Sequence, residues 1–249
     1  MRVLVLSDIH GNLQALEAVL AAAGAVDQLW NLGDAVGYGA FPNEVLGLLR
    51  QHATLNVRGN HDRACCGLVS TQSFNPVAAH AAQWTRDHLT EENLEWLRTW
   101  PRGPLPAGER AFCVHGSPLD EDQYIVTMRD AWAPLQKMSR ELTFFGHTHL
   151  QGAFSQCHEE WQEEHPTFAA ESGTTEALVE VPPGSRHLIN PGSVGQPRDH
   201  DWHAAFALYD TDAETVEFHR TPYDVAAAQA AIRSAGLPAR LASRLSEGR

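Results

Sequence analysis

The sequence predicts a mixed α/β fold in which two packed β-sheets are flanked by helices. Strand-like and helix-like stretches alternate along the first part of the chain, and strand-like stretches dominate further on. Short apolar runs give way repeatedly to glycine-rich sequence, which is typical of strands that open into loops. The chain has 249 residues with neither a linker nor an internal repeat, so residues 1–249 are expected to form one domain.

The first strand and the first helix are predicted from hydrophobic patterning. Val3–Leu6 is a continuous apolar run of the kind found in buried strands. An apolar face with helical spacing follows, and Gly24 is expected to end this helix. The residues of the face are Leu13, Leu16, Val19 and Leu20.

The middle of the chain, from about residue 75 to residue 100, is predicted to be helical. Apolar residues recur there at helical spacing, and Thr90 is suited to cap the second part of the stretch. Pro101 is expected to end it, because proline cannot continue a helix.

The last part of the chain is predicted to contain a β-hairpin and two helices. The alternating segments 204–209 and 215–218 flank a polar turn. Residues 223–247 are expected to form a helical pair broken at residues 236–238. A solvated helical face is favoured over an anion-attracting surface for the basic end of this pair. Its arginines are Arg233, Arg240, Arg244 and Arg249.

Residues suited to metal chemistry occur in five short motifs. Each motif alone is weak, because Asp-x-His or Gly-Asp is more often a turn or a cap than a ligand set. All five in order, each after a strand-like run, predict the oxygen and imidazole ligands of a two-metal hydrolytic site. The motifs are Asp8-Ile9-His10, Gly33-Asp34, Gly59-Asn60-His61-Asp62, His115-Gly116 and Gly146-His147-Thr148-His149.

Two of the motifs carry paired ligands. Asp8 and His10 are two residues apart, so on an extended chain their side chains point the same way and can hold one ion. His147 and His149 repeat that spacing, and the two pairs could serve one metal or two. Asp34 is the best-placed carboxylate to bridge two ions. Such ligands suit Mn, Fe, Zn, Co or Ni rather than Ca or Mg, with Mn favoured.

The order and placement of these motifs resemble the calcineurin-like metallophosphoesterases, in particular their bacterial phosphodiesterase-like branch, from Met1 to about Arg198. The resemblance implies a four-layer α-β-β-α sandwich. It also implies two divalent metal ions that share Asp34 as a ligand. The first ion would bind Asp8, His10, Asp34 and His149, and the second would bind Asp34, Asn60, His115 and His147.

The expected reaction is hydrolysis of a phosphate ester. Two ions about 3.5–4 Å apart would generate a bridging hydroxide near neutral pH and hold the phosphoryl oxygens during in-line attack. His61 directly follows the ligand Asn60, so it should lie beside the metals without binding them, and it is assigned as the general acid. Asp62 or a loop backbone group is expected to orient it.

Four residues are candidate substrate contacts. In the protein Ser/Thr phosphatase branch, Gly-Asp-x-x-Asp-Arg-Gly supplies an Asp that orients the histidine and an Arg that holds phosphate. In residues 33–39 of this chain, Gly37-Tyr38 stands in place of that Asp-Arg pair, which argues against protein phosphatase activity. Arg58 matches another arginine of that branch. Ser193 and Arg198 lie in a loop that resembles the one following the metal site in phosphodiesterase-like members. For Arg58, Tyr38, Ser193 and Arg198, packing, solvated or ligand-positioning roles are the alternative.

An acidic insertion is predicted at about residues 155–180, which contain seven Glu and neither Lys nor Arg. Two interpretations stay open. The segment is either an exposed hairpin or loop with no task, or a flap over the metals. In the second case its carboxylates would repel polyanions, and Trp161 or Phe168 would form an apolar wall.

Composition limits the partners. A formal net charge of −13, from 18 Lys and Arg against 31 Asp and Glu, argues against long duplex nucleic acid as substrate. No segment reaches the roughly 18 consecutive apolar residues of a membrane span. The four cysteines show no Cys-x-x-Cys spacing and are expected to be reduced thiols. We therefore expect a cytoplasmic protein with a small phosphoester substrate, and homo-oligomerisation is left open.

Three functions compete. The leading one is a two-metal phosphodiesterase of small or nucleotide-type substrates. The second is a phosphomonoesterase, including protein phosphatase. The third is a non-catalytic metal-binding scaffold of the same fold, as in a retromer subunit. Scaffolds of that kind tend to lose ligands or the acid, whereas all seven ligands and His61 are present here.

Overall fold

The structure is a computed structural model that describes residues 1–168 and 174–249, without the side chains of residues 174–177. Within these residues the chain forms two six-stranded sheets and eight α-helices. The strands are β1 Arg2–Leu6, β2 Gln28–Asn31, β3 Leu55–Asn56, β4 Leu105–Ala107, β5 Ala111–Cys113, β6 Leu142–Phe144, β7 Gly152–Cys157, β8 Glu160–Glu164, β9 Thr174–Glu180, β10 Arg186–Asn190, β11 Ala204–Asp210 and β12 Thr215–Thr221. The helices are α1 Leu13–Ala23, α2 Pro42–His52, α3 Asn60–Cys65, α4 Pro76–His88, α5 Glu91–Arg98, α6 Met128–Lys137, α7 Val225–Ser234 and α8 Ala239–Ser243, with 3-10 turns at Thr71–Ser73 and Arg244–Glu247.

Both sheets combine parallel and antiparallel strands. The first has the order β3-β2-β1-β11-β12-β9, in which β1, β2 and β3 are parallel. The second has the order β4-β5-β6-β10-β7-β8, in which β5, β6 and β10 are parallel. Each sheet therefore has three neighbouring strands whose carboxyl ends open at the same edge.

Three apolar clusters separate four layers of structure. Strand β1 shows the arrangement, because Val3 and Val5 lie in the cluster between the sheets, whereas Leu4 and Leu6 face the helices. Helices α1, α2, α4, α7 and α8 contribute to the cluster on the first sheet. Helix α6 packs on the second sheet. The predicted α-β-β-α order is confirmed.

The predicted elements are present with small shifts of their ends. Helix α1 begins after Asn12, whose side chain caps it, and ends at Gly24, which has φ of 66°. The helical stretch from residue 75 to residue 100 consists of α4 and α5. Thr90 caps α5 by accepting a hydrogen bond from the main-chain N–H of Asn93. The predicted hairpin is β11 with β12, and the C-terminal pair is α7 with α8.

The acidic segment is divided between the two sheets. Its first residues complete β7, which forms an antiparallel hairpin with β8 at the edge of the second sheet. Its last residues form β9, the edge strand of the first sheet, which pairs with β12. Residues 169–173, which include Glu171, lie outside the described residues. The segment therefore belongs at both ends to the sheets themselves.

Two further expectations concern the whole chain. No helix in the described ranges is both long and apolar enough to cross a bilayer. All four cysteines are free thiols, and only Cys157 is exposed. Burial raises the pKa of the Cys113 thiol in β5, as expected for a residue of the core.

Candidate metal centre

The five motifs lie just beyond the carboxyl ends of the parallel strands, four of them in loops and Asn60-His61-Asp62 at the start of α3. Because these ends share one edge in each sheet, loops from both packed sheets meet there. Six of the seven predicted ligand residues are buried, and Asn60 is half-buried. Strand β1 leads to Asp8 and His10, β2 to Asp34, β3 to Asn60, β5 to His115, and β6 to His147 and His149.

Five of these residues have a left-handed backbone conformation. A residue with a side chain adopts this region at a cost of about 1–2 kcal/mol, although Asp and His tolerate it better than most. The expectation that each ligand pair lies on an extended chain is therefore wrong, because all four residues have positive φ angles beyond the strand ends. Asp8 and His10 face the same group of ligands, whereas His147 and His149 face different groups. Strain concentrated in one site is typical of a functional site. The φ angles are 54° for Asp8, 51° for His10, 52° for Asp34, 68° for His147 and 61° for His149.

One ring nitrogen of each predicted histidine ligand bonds to a main-chain carbonyl. In a neutral imidazole the bonded nitrogen carries the hydrogen, so the other nitrogen has a lone pair for a metal ion. That free nitrogen is Nε2 in three histidines and Nδ1 in His147. The donors are Nδ1 of His10 to Val36 at 3.2 Å, Nδ1 of His115 to Leu32 at 3.0 Å, Nδ1 of His149 to Gln196 at 2.6 Å, and Nε2 of His147 to Asp122 at 3.1 Å.

The free donor atoms form two buried groups. We call Asp8, His10 and His149 the first cluster and Asp34, His115 and His147 the second cluster; within each, the ligand atoms lie within 4.8 Å of one another. In the first cluster, Nε2 of His149 lies 3.2 Å from Nε2 of His10 and 3.3 Å from Oδ1 of Asp8.

Asp34 connects the two groups. In the second cluster, Nε2 of His115 lies 3.1 Å from Nδ1 of His147 and 3.4 Å from Oδ2 of Asp34. The same Oδ2 atom lies 3.7 Å from Nε2 of His10 in the first cluster. The amide oxygen of Asn60 lies 3.2 Å from Nε2 of His115. The structure thus brings all seven predicted ligands together in the predicted grouping.

The donor sets fit divalent ions. Nitrogen lone pairs that face each other or a carboxylate repel unless a cation or a proton lies between them. Oδ1 of Asp8 is buried without a hydrogen-bond partner among the described residues. Ligands that bind a first-row ion at about 2.0–2.2 Å are themselves about 3.0–3.5 Å apart. The short donor-to-donor distances in both clusters match that spacing, so the chain has two candidate metal sites.

The clusters differ in protonation. Burial lowers the pKa of His10 and His149 well below the ordinary value, so both are neutral in the first cluster. Burial raises the pKa of Asp8 to about 6. In the second cluster burial acts against the charged forms, but the attraction between His115 and Asp34 outweighs it. The pKa of His115 is raised to about 9, and that of Asp34 is held well below its ordinary value.

His61 lies beside the clusters without joining either. It occupies the first turn of α3, and its ring is 4.9 Å from that of His10, edge on. Nδ1 is buried without a partner among the described residues. The expected bond from Asp62 is not formed, because that carboxylate accepts main-chain N–H groups from Asp34, Gly59 and Val36 instead. Burial lowers the pKa of His61 to about 4.

A cavity of about 500 Å³ opens over the second cluster and His61. Two of the four candidate substrate contacts, Tyr38 and Arg198, line it. Arg58 does not line it, and its guanidinium donates two hydrogen bonds of 3.1 Å to Glu121. Ser193 is fully buried, and its hydroxyl donates to the main-chain carbonyl of Asp8 at 2.8 Å. Its contact is with the ligand-bearing loop, and the substrate roles of all four remain predictions.

Several residues of the site were not identified from the sequence. Tyr124 stacks on His147 with ring centroids 4.1 Å apart and lines the cavity. Asn190 donates to the carbonyl of Gly146 and the hydroxyl of Thr148, which holds the His147 loop. The sequence feature that could have indicated this role of Asn190 is its position at the end of a strand-like run, directly before Pro191-Gly192. Arg240 and Arg244 also line the cavity, although they were interpreted as a solvated face.

The flap interpretation of the acidic segment finds no support in its described residues. None of the residues 155–168 or 178–180 lines the cavity. Trp161 stacks on Trp132 of α6 at 4.3 Å, and Phe168 lies under the guanidinium of Arg220 at 5.3 Å. Both aromatic side chains are therefore occupied away from the clusters.

The chain matches a known family over most of its length. The model of the calcineurin-like phosphoesterase superfamily domain matches residues 1–214. The chain belongs to that superfamily, as the motifs indicated, and is a phosphoester hydrolase by class.

Three proteins resemble the chain over nearly its whole length. A solved metallophosphoesterase from Sphaerobacter thermophilus is 41% identical, with a TM-score of 0.86, over 100% of this chain and 99% of that one. An uncharacterized protein of Methanocaldococcus jannaschii is 33% identical over 98% of this chain and 97% of its own length. A solved hypothetical protein of Pyrococcus horikoshii has the same fold, with 21% identity and a TM-score of 0.77 over 100% of this chain and 98% of that one.

Proposed function

We propose that this chain is a dinuclear phosphodiesterase that acts on small or nucleotide-type substrates. The observation that carries the proposal is the pair of buried donor clusters, joined by Asp34 and placed with His61 at one cavity. A single structural ion would need only one of the clusters. Two adjoining clusters beside a partnerless imidazole are the arrangement expected of a hydrolytic centre.

The proposed ligands are those named from the sequence. The first ion would be held by Asp8, His10, Asp34 and His149, and the second by Asp34, Asn60, His115 and His147. Manganese is proposed for both, because mixed carboxylate and imidazole ligands suit borderline divalent ions. When bound, two such ions supply Lewis acidity toward the phosphoryl oxygens and an activated water as nucleophile.

His61 is proposed to donate a proton to the leaving oxygen. Its low pKa keeps the free imidazole neutral at neutral pH. The negative charge of a bound phosphate ester acts in the opposite direction and favours the protonated form. Tyr38, whose ring lies 4.3 Å from that of His61, holds the imidazole on one side. Phe74, at 4.9 Å, holds it on another and excludes water.

The walls of the cavity support the proposed substrate class. A volume of about 500 Å³ is large enough for a nucleotide. Arg198 lines it and attracts an anionic ester, whereas the acidic exterior disfavours long polyanions. A phosphomonoesterase is the alternative. Cytoplasmic location stays an expectation from the lack of a long apolar segment in the sequence and from the cysteine pattern.

The test combines metal analysis with a matched pair of substrates. Purified protein should contain about two divalent ions per chain, and bis(p-nitrophenyl) phosphate should be hydrolysed faster than p-nitrophenyl phosphate. Faster hydrolysis of the monoester would favour the phosphomonoesterase. Two bound ions without hydrolysis of either compound would indicate a metal-binding scaffold and overturn the proposal.

A further inference from the structure

The C-terminal segment forms one wall of the cavity. Arg240, Leu241 and Arg244 all line it, and they lie beyond residue 214, where the family match ends. Leu241 and Leu245 are buried in the cluster between the helices and the first sheet, which anchors the segment. Residues four apart share a face of a helical segment, so Arg240 and Arg244 are presented together beside the buried face.

These arginines are close to the proposed reaction centre. The charges of Arg198 and Arg244 both act on the hydroxyl of Tyr38, opposing the rise in its pKa that burial causes. Tyr38 in turn lies against His61, with ring centroids 4.3 Å apart. The main-chain N–H of His200 donates to the carbonyl of Gly248 at 2.9 Å, which joins the Arg198 loop to the C-terminal residues.

The arginines of this wall lack carboxylate partners among the described residues. Other arginines of the chain do form ion pairs with Asp or Glu, as Arg58, Arg63, Arg110 and Arg220 show, and exposed arginines such as Arg233 form none within the described ranges. The distinguishing feature of this wall is that three arginines without a described ion pair line one cavity. They are Arg198, Arg240 and Arg244.

The hydrogen bonds of these arginines leave donors free. Nε of Arg198 is buried with no described partner, and one Nη atom donates to Gln196 at 3.2 Å. Arg244 uses Nε to donate to a main-chain oxygen of Arg249. Among the described residues, Asp34, a proposed metal ligand, is the only acidic residue that lines the cavity. The described lining therefore sets three arginines against one carboxylate, in a protein with a net charge of −13.

The grouping is unfavourable in the absence of an anion. Burial and the repulsion from Arg198 and Arg240 lower the pKa of Arg244 to about 10. Two like charges four residues apart on a helical face also destabilise it. A phosphate group, which accepts several charge-assisted hydrogen bonds from arginine, would remove both costs.

We propose that Arg240 and Arg244 form a second phosphate subsite, so that the preferred substrate carries a phosphate group in addition to the ester that is cleaved. The inference rests on the proposed function for the place of the cleaved ester. Arg198 lies in the same wall and contacts either group. The substrate class is thus narrowed to phosphoesters with a second phosphate, such as nucleotides that are phosphorylated at two positions.

Turnover of two matched substrates tests the subsite. Thymidine 3′-(p-nitrophenyl phosphate) is compared with the same compound carrying a 5′-phosphate, at fixed ionic strength because salt screens the attraction. We expect kcat/KM to be about 10- to 100-fold higher with the second phosphate, as charge-assisted hydrogen bonds give. Arg240→Gln and Arg244→Gln should each bring the ratio toward one.

Arg233→Gln is the matched control. It removes the same charge from α7, where the side chain is exposed and does not line the cavity, so the ratio should stay at the wild-type value. Arg240→Gln is expected to fold normally, because the Arg240 side chain is exposed and makes no described hydrogen bond. It therefore keeps the test valid if Arg244→Gln is unstable. Arg244→Gln loses the bond to Arg249, and its melting temperature is measured alongside.

Binding of products separates this inference from the proposed function. Calorimetry with thymidine 3′-monophosphate and thymidine 3′,5′-bisphosphate requires no turnover. A bisphosphate preference that Arg240→Gln abolishes would support the subsite even if no ester were hydrolysed. Equal binding of the two products by the wild type, or an unchanged preference in both variants, would overturn it and leave the proposed function intact.

Discussion

The two donor clusters have similar composition and opposite electrostatics. Each contains one aspartate and two histidines, all buried. In the first cluster, burial keeps His10 and His149 neutral, whereas in the second the attraction of Asp34 keeps a proton on His115. Burial disfavours the charged form of both His10 and His115. For His115 the attraction and the hydrogen bond of Asp34 outweigh burial, whereas for His10 the charges of His61 and Arg198 act in the same direction as burial. The first cluster is ready for an ion, and the second must lose a proton to receive one.

The largest effect is expected from a substitution of Asp34, because it should change both clusters and so remove the difference between them. Asp34→Asn removes the carboxylate whose Oδ2 atom faces imidazole nitrogens of both clusters, so both ions should bind more weakly and turnover should fall by several orders of magnitude. Metal content by elemental analysis and hydrolysis of bis(p-nitrophenyl) phosphate measure the two effects. Near-normal activity with two ions still bound would refute the shared ligand.

A substitution at His61 distinguishes the role of this histidine from that of the metal ligands. Because its imidazole belongs to neither cluster, His61→Gln should retain both ions while the rate falls by about 10²–10⁴-fold. The loss should be smaller for a nitrophenolate leaving group than for an alkoxide, which needs a proton to depart. Equal losses for the two leaving groups would remove the assignment as general acid.

A substitution at Gly59 tests whether close packing of the main chain against Asp34 is needed for the second cluster. A Cβ atom there would lie 2.7 Å from Cγ of Asp34 and closer still to its Oδ1. Gly59→Ala should therefore lower the free energy of unfolding by about 1–3 kcal/mol and weaken the second ion. Denaturant unfolding and metal titration measure these changes.

Gly47→Ala in α2 is the matched control for that substitution. A Cβ atom at Gly47 meets no atom within 4 Å, and alanine is the better residue inside a helix. It should stabilise the protein by about 0.5–1 kcal/mol without altering metal binding. If both alanine variants behaved alike, close packing against Asp34 would not be the reason for glycine at position 59.

The two clusters should release different numbers of protons when they bind metal ions. At about pH 8 His115 carries a proton, because its pKa is about 9, so ion binding at the second cluster should release about one proton. The first cluster should release almost none, since the pKa values of His10 and His149 lie well below the ordinary value.

The sign of the pH dependence follows from this. Apparent affinity for the second ion should rise with pH until about pH 9, and the proton release should vanish at about pH 10, where His115 is already neutral. Titration calorimetry in buffers of different ionisation enthalpy measures the proton count. Absence of release at pH 8 would show that the His115 and Asp34 pair does not hold a proton.

The sequence by itself determined the ligand types, their order and the strands that carry them. Apolar runs such as Val3–Leu6 must be buried whatever their partners, and the loops that follow them must then open at strand ends. The hairpin of β11 and β12 and the helices around Thr90 are likewise local patterns. Such features depend on neighbours in the chain, so a single sequence reveals them.

The tertiary structure alone decided the conformation and the surroundings of the site. Positive φ at Asp8 and His147 is held by packing between loops from different sheets, which no local pattern encodes. The hydrogen bond from each imidazole to a distant carbonyl selects the nitrogen that faces the other ligands of its cluster. Arg240 is exposed, as expected of a solvated face, but only the tertiary structure shows that it also lines the cavity, because its separation from residues 34–198 in the chain says nothing of its distance in space. Burial, repulsion and hydrogen-bond partners arise only when such remote segments meet, and they determine the chemistry of this centre.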